Sequence, residues 1–170
     1  MISEKVVANA SPLIILFKGG LADLLPQLFT EIAVPNGVCE EILAGGPSDS
    51  ASRALPETSW IQRVEINAIA PKILVWNLGV GESEVLSLAL ADKSYVAMID
   101  DRAARNCART LGIKTVGTGG ALVLAKRRGV IPSVSVALQQ LLDAGLWLSD
   151  EIVTLLRTQA GEGIDPVRKR

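Results

Sequence analysis

The sequence predicts an α/β domain with a mostly parallel central sheet of four or five strands flanked by helices. Short runs of β-branched or apolar residues alternate with longer stretches whose apolar residues recur at helical spacing. The junctions carry Gly, Pro, Asn or Asp, and no internal repeat or low-complexity tract interrupts the alternation. Such alternation implies βαβ crossovers, and therefore parallel strands covered on both faces.

Taken in order, KVVA (5–8) is a first strand ending at Asn9-Ala10-Ser11-Pro12, with Pro12 suited to the opening turn of a helix. That helix runs to Gly19-Gly20, and a second, short one is expected over Leu21 to Phe29. EIAVP is a brief strand closed by Pro35, and Asn36 starts a helix through about Leu43. From Gly45 to Pro56 the residues turn to Gly, Pro, Ser, Asp and Ala, which reads as a loop or a short surface helix. WIQRVEI alternates as an edge strand does. A turn at Gly79 to Gly81 leads into the amphipathic ESEVLSLALADK, then into the buried strand YVAMI, which ends at Asp100-Asp101. RAARNCARTLG is a helix closed by Gly112, IKTVGT a further strand, and three helical stretches begin near Gly119, Pro132 and Ser149.

The chain has 170 residues, which predicts one domain, over 1–160, followed by a basic tail over 161–170 expected to be disordered. It contains no histidine, which excludes Ser-His-Asp and Cys-His catalysis and any imidazole-bearing zinc site. Cys39 and Cys107 are its two cysteines, and they lie far apart with no C-x-x-C spacing. With neither a signal peptide nor an apolar run near the ~20 residues that span a bilayer, the expectation is a cytoplasmic protein with no membrane contact. A mean hydropathy of +0.36 implies helices apolar over much of their circumference, and hence deep burial or an oligomer interface, with a homodimer expected. The net charge of −1 carries no global argument for nucleic-acid binding, so any such argument is local.

In open α/β sheets the active site lies at the carboxyl ends of the strands. Those ends present Asn9 and Ser11, then Asp100 and Asp101, then Thr118. Two helix carboxylates, Glu41 and Glu82, are placed to face the same edge. Clustered carboxylates repel one another unless a cation neutralises them, and Mg²⁺ or Mn²⁺ suits ligation by oxygen alone.

These same segments carry a resemblance. VVANASPLIIL, VPNGVCEEIL, LGVGESEVLSLAL, AMIDDRAARNCA and TVGTGGALVLAKRRGVI, in that order, resemble the PIN domain family, in its branch of VapC-like toxin relatives, from about Val6 to Gly161. The resemblance implies a PIN-like three-layer α/β nuclease fold in which acidic residues bind Mg²⁺ or Mn²⁺ and cleave RNA, often as the toxin of a toxin–antitoxin pair. It places Glu41, Glu82 and Asp100 at the family's acidic, catalytic positions, with Asp101 beside them. At position 9 the chain departs from the family's usual Asp: Asn9 removes one negative charge but keeps a carbonyl oxygen able to ligate. The implied metal set is thus Asn9, Glu41, Glu82, Asp100 and Asp101, with Ser11 and Thr118 as hydrogen-bonding supports. Two functions follow, a metal-dependent ribonuclease or a PIN domain that binds RNA or a protein partner without cleaving.

Ordinary roles compete for each residue. Glu40 competes with Glu41, which is preferred because Val38 and Ile42 share its helix face. Glu84 points about 160 degrees around the helix from Glu82. Asp101 is expected to cap the helix that follows, Asn9 is equally suited to capping the one after it, and Ser11 and Thr118 also fit as caps. Arg102, Arg105 and Arg109 share one helix face beside the acidic pair; Arg102 and Arg105 are candidates to grip RNA phosphates, or else form a solvated face. Gly117-Thr118-Gly119-Gly120 lacks both G-x-G-x-x-G and the Walker lysine, so it is not a nucleotide loop. A phosphotransfer domain also accommodates paired Asp at a strand end, without further support in the chain.

Overall fold

A computed structural model describes residues 4–163. Five strands form one sheet in the order β3-β2-β1-β4-β5: β1 (Lys5–Ala8), β2 (Glu31–Pro35), β3 (Ile61–Val64), β4 (Tyr95–Met98) and β5 (Thr115–Val116). All four pairings are parallel, with Val6 opposite both Ile32 and Val96, and Met98 opposite Val116. The expected mostly parallel sheet flanked by helices is therefore what the chain forms. Every residue of β4 is buried, as are Val6, Val7 and Ala8 of β1. Burial at successive positions, rather than alternate ones, means that both faces of the central strands are covered.

Ten α-helices are described: α1 (Ala10–Lys18), α2 (Leu24–Leu28), α3 (Asn36–Leu43), α4 (Ser50–Ala54), α5 (Pro71–Leu74), α6 (Val80–Ala91), α7 (Arg102–Thr110), α8 (Thr118–Arg127), α9 (Val134–Asp143) and α10 (Asp150–Gln159). Leu13 and Leu16 of α1, Ile42 of α3, Leu86 of α6, Leu122 of α8 and Leu138 of α9 are fully buried against the sheet's Val6, Met98 and Ile99 in one continuous core. The segment between Gly45 and Pro56 resolves into α4, capped by Asp49 through its bond from the Ser52 N–H (2.9 Å), and a 3₁₀ turn over Leu55–Glu57. α5 had no counterpart in the sequence reading; it is a single turn started by Pro71 and seated by the buried Ile73.

The ordered domain continues past residue 160. Glu162 Oε2 accepts the Val134 N–H (2.6 Å) and a bond from Lys126 Nζ (3.2 Å), while Oε1 accepts the Ser133 hydroxyl (2.9 Å) and the Ser135 N–H (3.1 Å). The expected tail boundary at 160/161 thus moves beyond Glu162, because the start of α9 offers free amides that a carboxylate satisfies. The basic remainder of that tail, 164–170, lies outside the described residues. Burial by itself would raise the Glu162 carboxyl, but the Val134 and Ser135 amides and the Ser133 hydroxyl outweigh it and hold the group well below the ordinary glutamate range. A depressed folded pKa contributes stability above the unfolded value of about 4.3, lost as pH falls below it. Glu162→Gln is accordingly expected to lower stability at pH 7 by about 2 kcal/mol, or roughly 4–8 °C in Tm. Thermal melts from pH 7 to pH 3 check this: the gap between native and variant should close on acidification.

Among the described residues, no helix is long and apolar enough to cross a membrane.

Candidate active site

The strand order places the topological switch between β1 and β4. From β1 the chain winds outward through β2 to β3, then returns to β4 on the other side of β1 and continues to β5. The carboxyl ends of β1 and β4 therefore flank the crevice where doubly wound sheets bind ligands. Asn9 follows β1 and Asp100 stands two residues beyond β4.

Asn9 continues the sheet ladder, its N–H donating to the Met98 carbonyl at 3.0 Å. Its backbone is extended at the α1 N-cap position, yet the side chain makes no capping bond. The amide is 2% exposed and turns instead toward α6, where Nδ2 donates to Glu82 Oε1 across 3.4 Å, a long bond. Its oxygen, Oδ1, is buried without a partner. Buried polar atoms without partners are rare, and each one calls for a physical reason.

Glu82 lies in the first turn of α6, and Glu41 lies on α3, whose Val38, Cys39 and Ile42 are buried. The two helices meet at glycines. The Gly37 N–H donates to Glu84 Oε2 (2.8 Å), so Glu84 ties α6 to the start of α3 and fixes the turn of α6 that presents Glu82 to Asn9. Gly81, also buried, lies between the partners: a Cβ there would stand 3.1 Å from Asn9 Oδ1 and 3.2 Å from Glu41 Oε2. Asn9, Glu41 and Glu82 are thereby brought together over Gly81. Burial raises the Glu41 carboxyl above its ordinary value, and the Glu82 charge raises it further. Burial is the larger cause, and the like charge of Glu82 adds to it.

Asp100 occupies a neighbouring but separate setting. Its Oδ1 accepts the Thr118 N–H (2.8 Å) and its Oδ2 the Thr118 hydroxyl (2.5 Å), so the residue is turned toward the start of α8. Thr118 is 1% exposed. Across Gly117 lies Arg105: a Cβ at Gly117 would be 2.9 Å from both Arg105 Nη1 and Asp100 Oδ1. Asp101 caps α7, its Oδ2 accepting the Ala104 N–H at 2.9 Å. The carboxylate thus serves its own helix through one of its two oxygens. Ser11 is exposed on α1 and, among the described residues, no hydrogen bond joins it to these carboxylates. Arg102 and Arg105 are exposed on α7 on the Asp100 side.

Sequence reasoning read Gly81 as part of a turn and Gly117 as part of a rejected nucleotide loop, and gave neither a place in the site, nor did it find the tie made by Glu84. The signal for the glycines was present as a small residue beside an acid or a strand end, in GVGESEV and TVGTGG. Among the described residues, no three Asp, Glu or Cys side chains form a group arranged to hold an ion. With Asn9 counted as a donor, the Gly81 cluster does fit a hard divalent cation: it combines two carboxylates, an amide oxygen that lacks a partner, and space that a Cβ would fill. A concavity of 460 Å³ at the opposite ends of the strands, bordered by Glu4, Lys114 and Arg127, contains none of these residues.

Compared with known proteins, residues 5–162 match a family model, DUF3368, described as a PIN domain. No curated protein matches the chain in sequence.

Proposed function

The chain belongs to the PIN domain family, a nuclease-type fold that works with divalent metal ions, and on that premise we propose that it is a metal-dependent ribonuclease resembling a VapC-type toxin. The observation that carries the reading is the buried, unpartnered Asn9 Oδ1 set beside Glu41 and Glu82 at the switch point of the sheet.

Asn9, Glu41, Glu82 and Asp100 are the positions of this reading among which Mg²⁺ or Mn²⁺ would be held. Once bound, such an ion supplies Lewis acidity toward a phosphodiester and lowers the pKa of water. The remaining work falls to the chain itself. Thr118 orients Asp100 with two hydrogen bonds. Arg105, exposed across Gly117, would receive a phosphate oxygen and offset charge building there, and the exposed Arg102 would extend that basic edge. Burial of Asn9 excludes water from the floor of the cluster.

The proposal includes a homodimer and a cognate antitoxin in the cytoplasm. Supporting it, Val75, Val80 and Trp147 are 81%, 70% and 84% exposed, apolar surface of the kind that protein interfaces cover.

A second reading is favoured by Asn9 itself: a PIN domain that binds RNA or a protein partner without cutting. An amide is a weaker ligand than a carboxylate, and it cannot accept a proton from water. One assay separates the two. Purified protein is incubated with RNA and Mn²⁺ or Mg²⁺ beside its Asn9→Asp and Asp100→Ala variants. Cleavage by the native chain that Asp100→Ala abolishes is the expected result, and Asn9→Asp should cut faster by about tenfold or more. If only Asn9→Asp cuts, the binding reading holds for the native chain; if neither cuts any RNA, the ribonuclease reading falls.

A further inference from the structure

We infer that the ion site of this chain is a three-donor set, the Asn9 amide oxygen with the Glu41 and Glu82 carboxylates over Gly81, that it takes a single divalent ion, and that Asp100 stands outside it as a positioning residue. The inference rests on the metal-dependent reading above and divides the acidic positions which that reading treats as one group.

Three observations carry the division. Asn9 Oδ1 is the one side-chain oxygen among the described residues that is buried with no hydrogen-bond partner, and the nearest side-chain oxygen across Gly81 belongs to Glu41. Glu82 already holds the other end of that amide through Nδ2. An amide and two carboxylates sum to a charge of −2, which one divalent ion neutralises; a second ion would find no uncompensated charge in this cluster. Asp100 faces elsewhere, since each of its oxygens accepts a bond from Thr118 and its neighbour across Gly117 is the Arg105 guanidinium, a cation that would repel a metal ion. No group of three carboxylates forms among the described residues, as this separation requires. Asp100 thus acts through Thr118: it holds the start of α8, and with it the strand-to-helix corner that Arg105 overhangs.

The test is Mn²⁺ titration of the EDTA-stripped, full-length protein by calorimetry and electron paramagnetic resonance. One Mn²⁺ per chain is expected. Glu41→Gln and Glu82→Gln should each weaken it by about tenfold or more, and Asn9→Asp should tighten it. Asp100→Asn should leave the Mn²⁺ Kd within about twofold of native. In EDTA the two Gln variants should melt at or above the native temperature, because each relieves a like-charge contact, so their lost affinity is not lost fold. Asp100→Asn and Thr118→Val should lower kcat on RNA with KM and the Mn²⁺ Kd unchanged, and Thr118→Ser should restore kcat. Two ions per chain, or a tenfold loss of Mn²⁺ affinity in Asp100→Asn, overturns the division. Native protein that binds no Mn²⁺ overturns both this inference and the metal-dependent reading. The expected titrations from a protein that cuts no RNA sustain the three-donor site while removing the nuclease.

Discussion

Asn9→Asp is expected to lower the stability of the metal-free protein by about 3 kcal/mol, roughly 6–12 °C in Tm, and to regain most of it when Mn²⁺ is added. Position 9 is 2% exposed, and its amide hydrogen now reaches Glu82 Oε1. A carboxylate there loses that donor and meets Glu82 as a like charge, with Glu41 across Gly81 as a third. An uncompensated buried charge is among the few single changes that cost several kcal/mol. A bound divalent ion reverses the sign of the contact, and at a hundredfold excess over Kd returns about 2.7 kcal/mol through linkage. Melts in EDTA and in Mn²⁺ measure both effects. An Asn9→Asp protein as stable as native in EDTA would show that position 9 does not face the two carboxylates. The same physics gives asparagine at position 9 a rationale: its amide offers Glu82 a donor where aspartate would add a third negative charge, at the cost of one ligand charge.

Gly81→Ala is the second large effect, with the opposite division between site and fold. A Cβ at 81 would stand 3.1 Å from Asn9 Oδ1, 3.2 Å from Glu41 Oε2 and 3.3 Å from Val38 Cγ2. The first two are the oxygens of the proposed ion site, and each must move aside by a few tenths of an ångström. Alanine also favours the helix over glycine by about 1 kcal/mol, which offsets the contact with Val38. Stability is therefore expected to stay within about 1 kcal/mol of native. RNA cleavage should fall by about 100-fold, because small displacements of positioned groups carry penalties of that size. Circular dichroism melts and initial rates on one RNA substrate measure the two quantities. Unchanged cleavage would remove Gly81 and its cluster from the site.

Most of the fold could be read from local pattern. KVVA, EIAVP, WIQRVEI, YVAMI and IKTVGT each contain one of the five strands, and β3 does lie at an edge, as its alternation implied. Helix ends followed Gly19 and Gly112 closely because those residues stop a helix by backbone chemistry alone. α5 escaped notice because a single turn started by Pro71 leaves no periodicity to detect; it exists because Ile73 finds a seat in the core. The boundary at 160 failed for a related reason. Glu162 is held by Ser133, Val134, Ser135 and Lys126, from segments roughly thirty residues earlier, and no window along the chain contains both ends of that contact.

The site divides along the same line. Helical geometry correctly separated Glu82 from Glu84, because angular position around a helix is a property of spacing. That Glu84 would reach the Gly37 amide and so orient α6 was not readable, because it depends on where α3 lies. Asp101 as a cap was a local matter and appears as expected. Asp100 turning to Thr118, eighteen residues on, was not local.

By itself, then, the sequence determined the element types, the α/β class and a donor inventory limited to oxygen, since a chain without histidine and with two distant cysteines offers a metal little else. Only the tertiary structure decided the strand order that puts Asn9 and Asp100 at one switch point, the closeness of α3 and α6 at Gly81, and the sorting of Asp100 away from Glu41. The physical reason is the range of the forces: propensity, periodicity and capping act within a few residues, whereas which side chain faces which across a crevice follows from how crossovers pack apolar faces over the sheet.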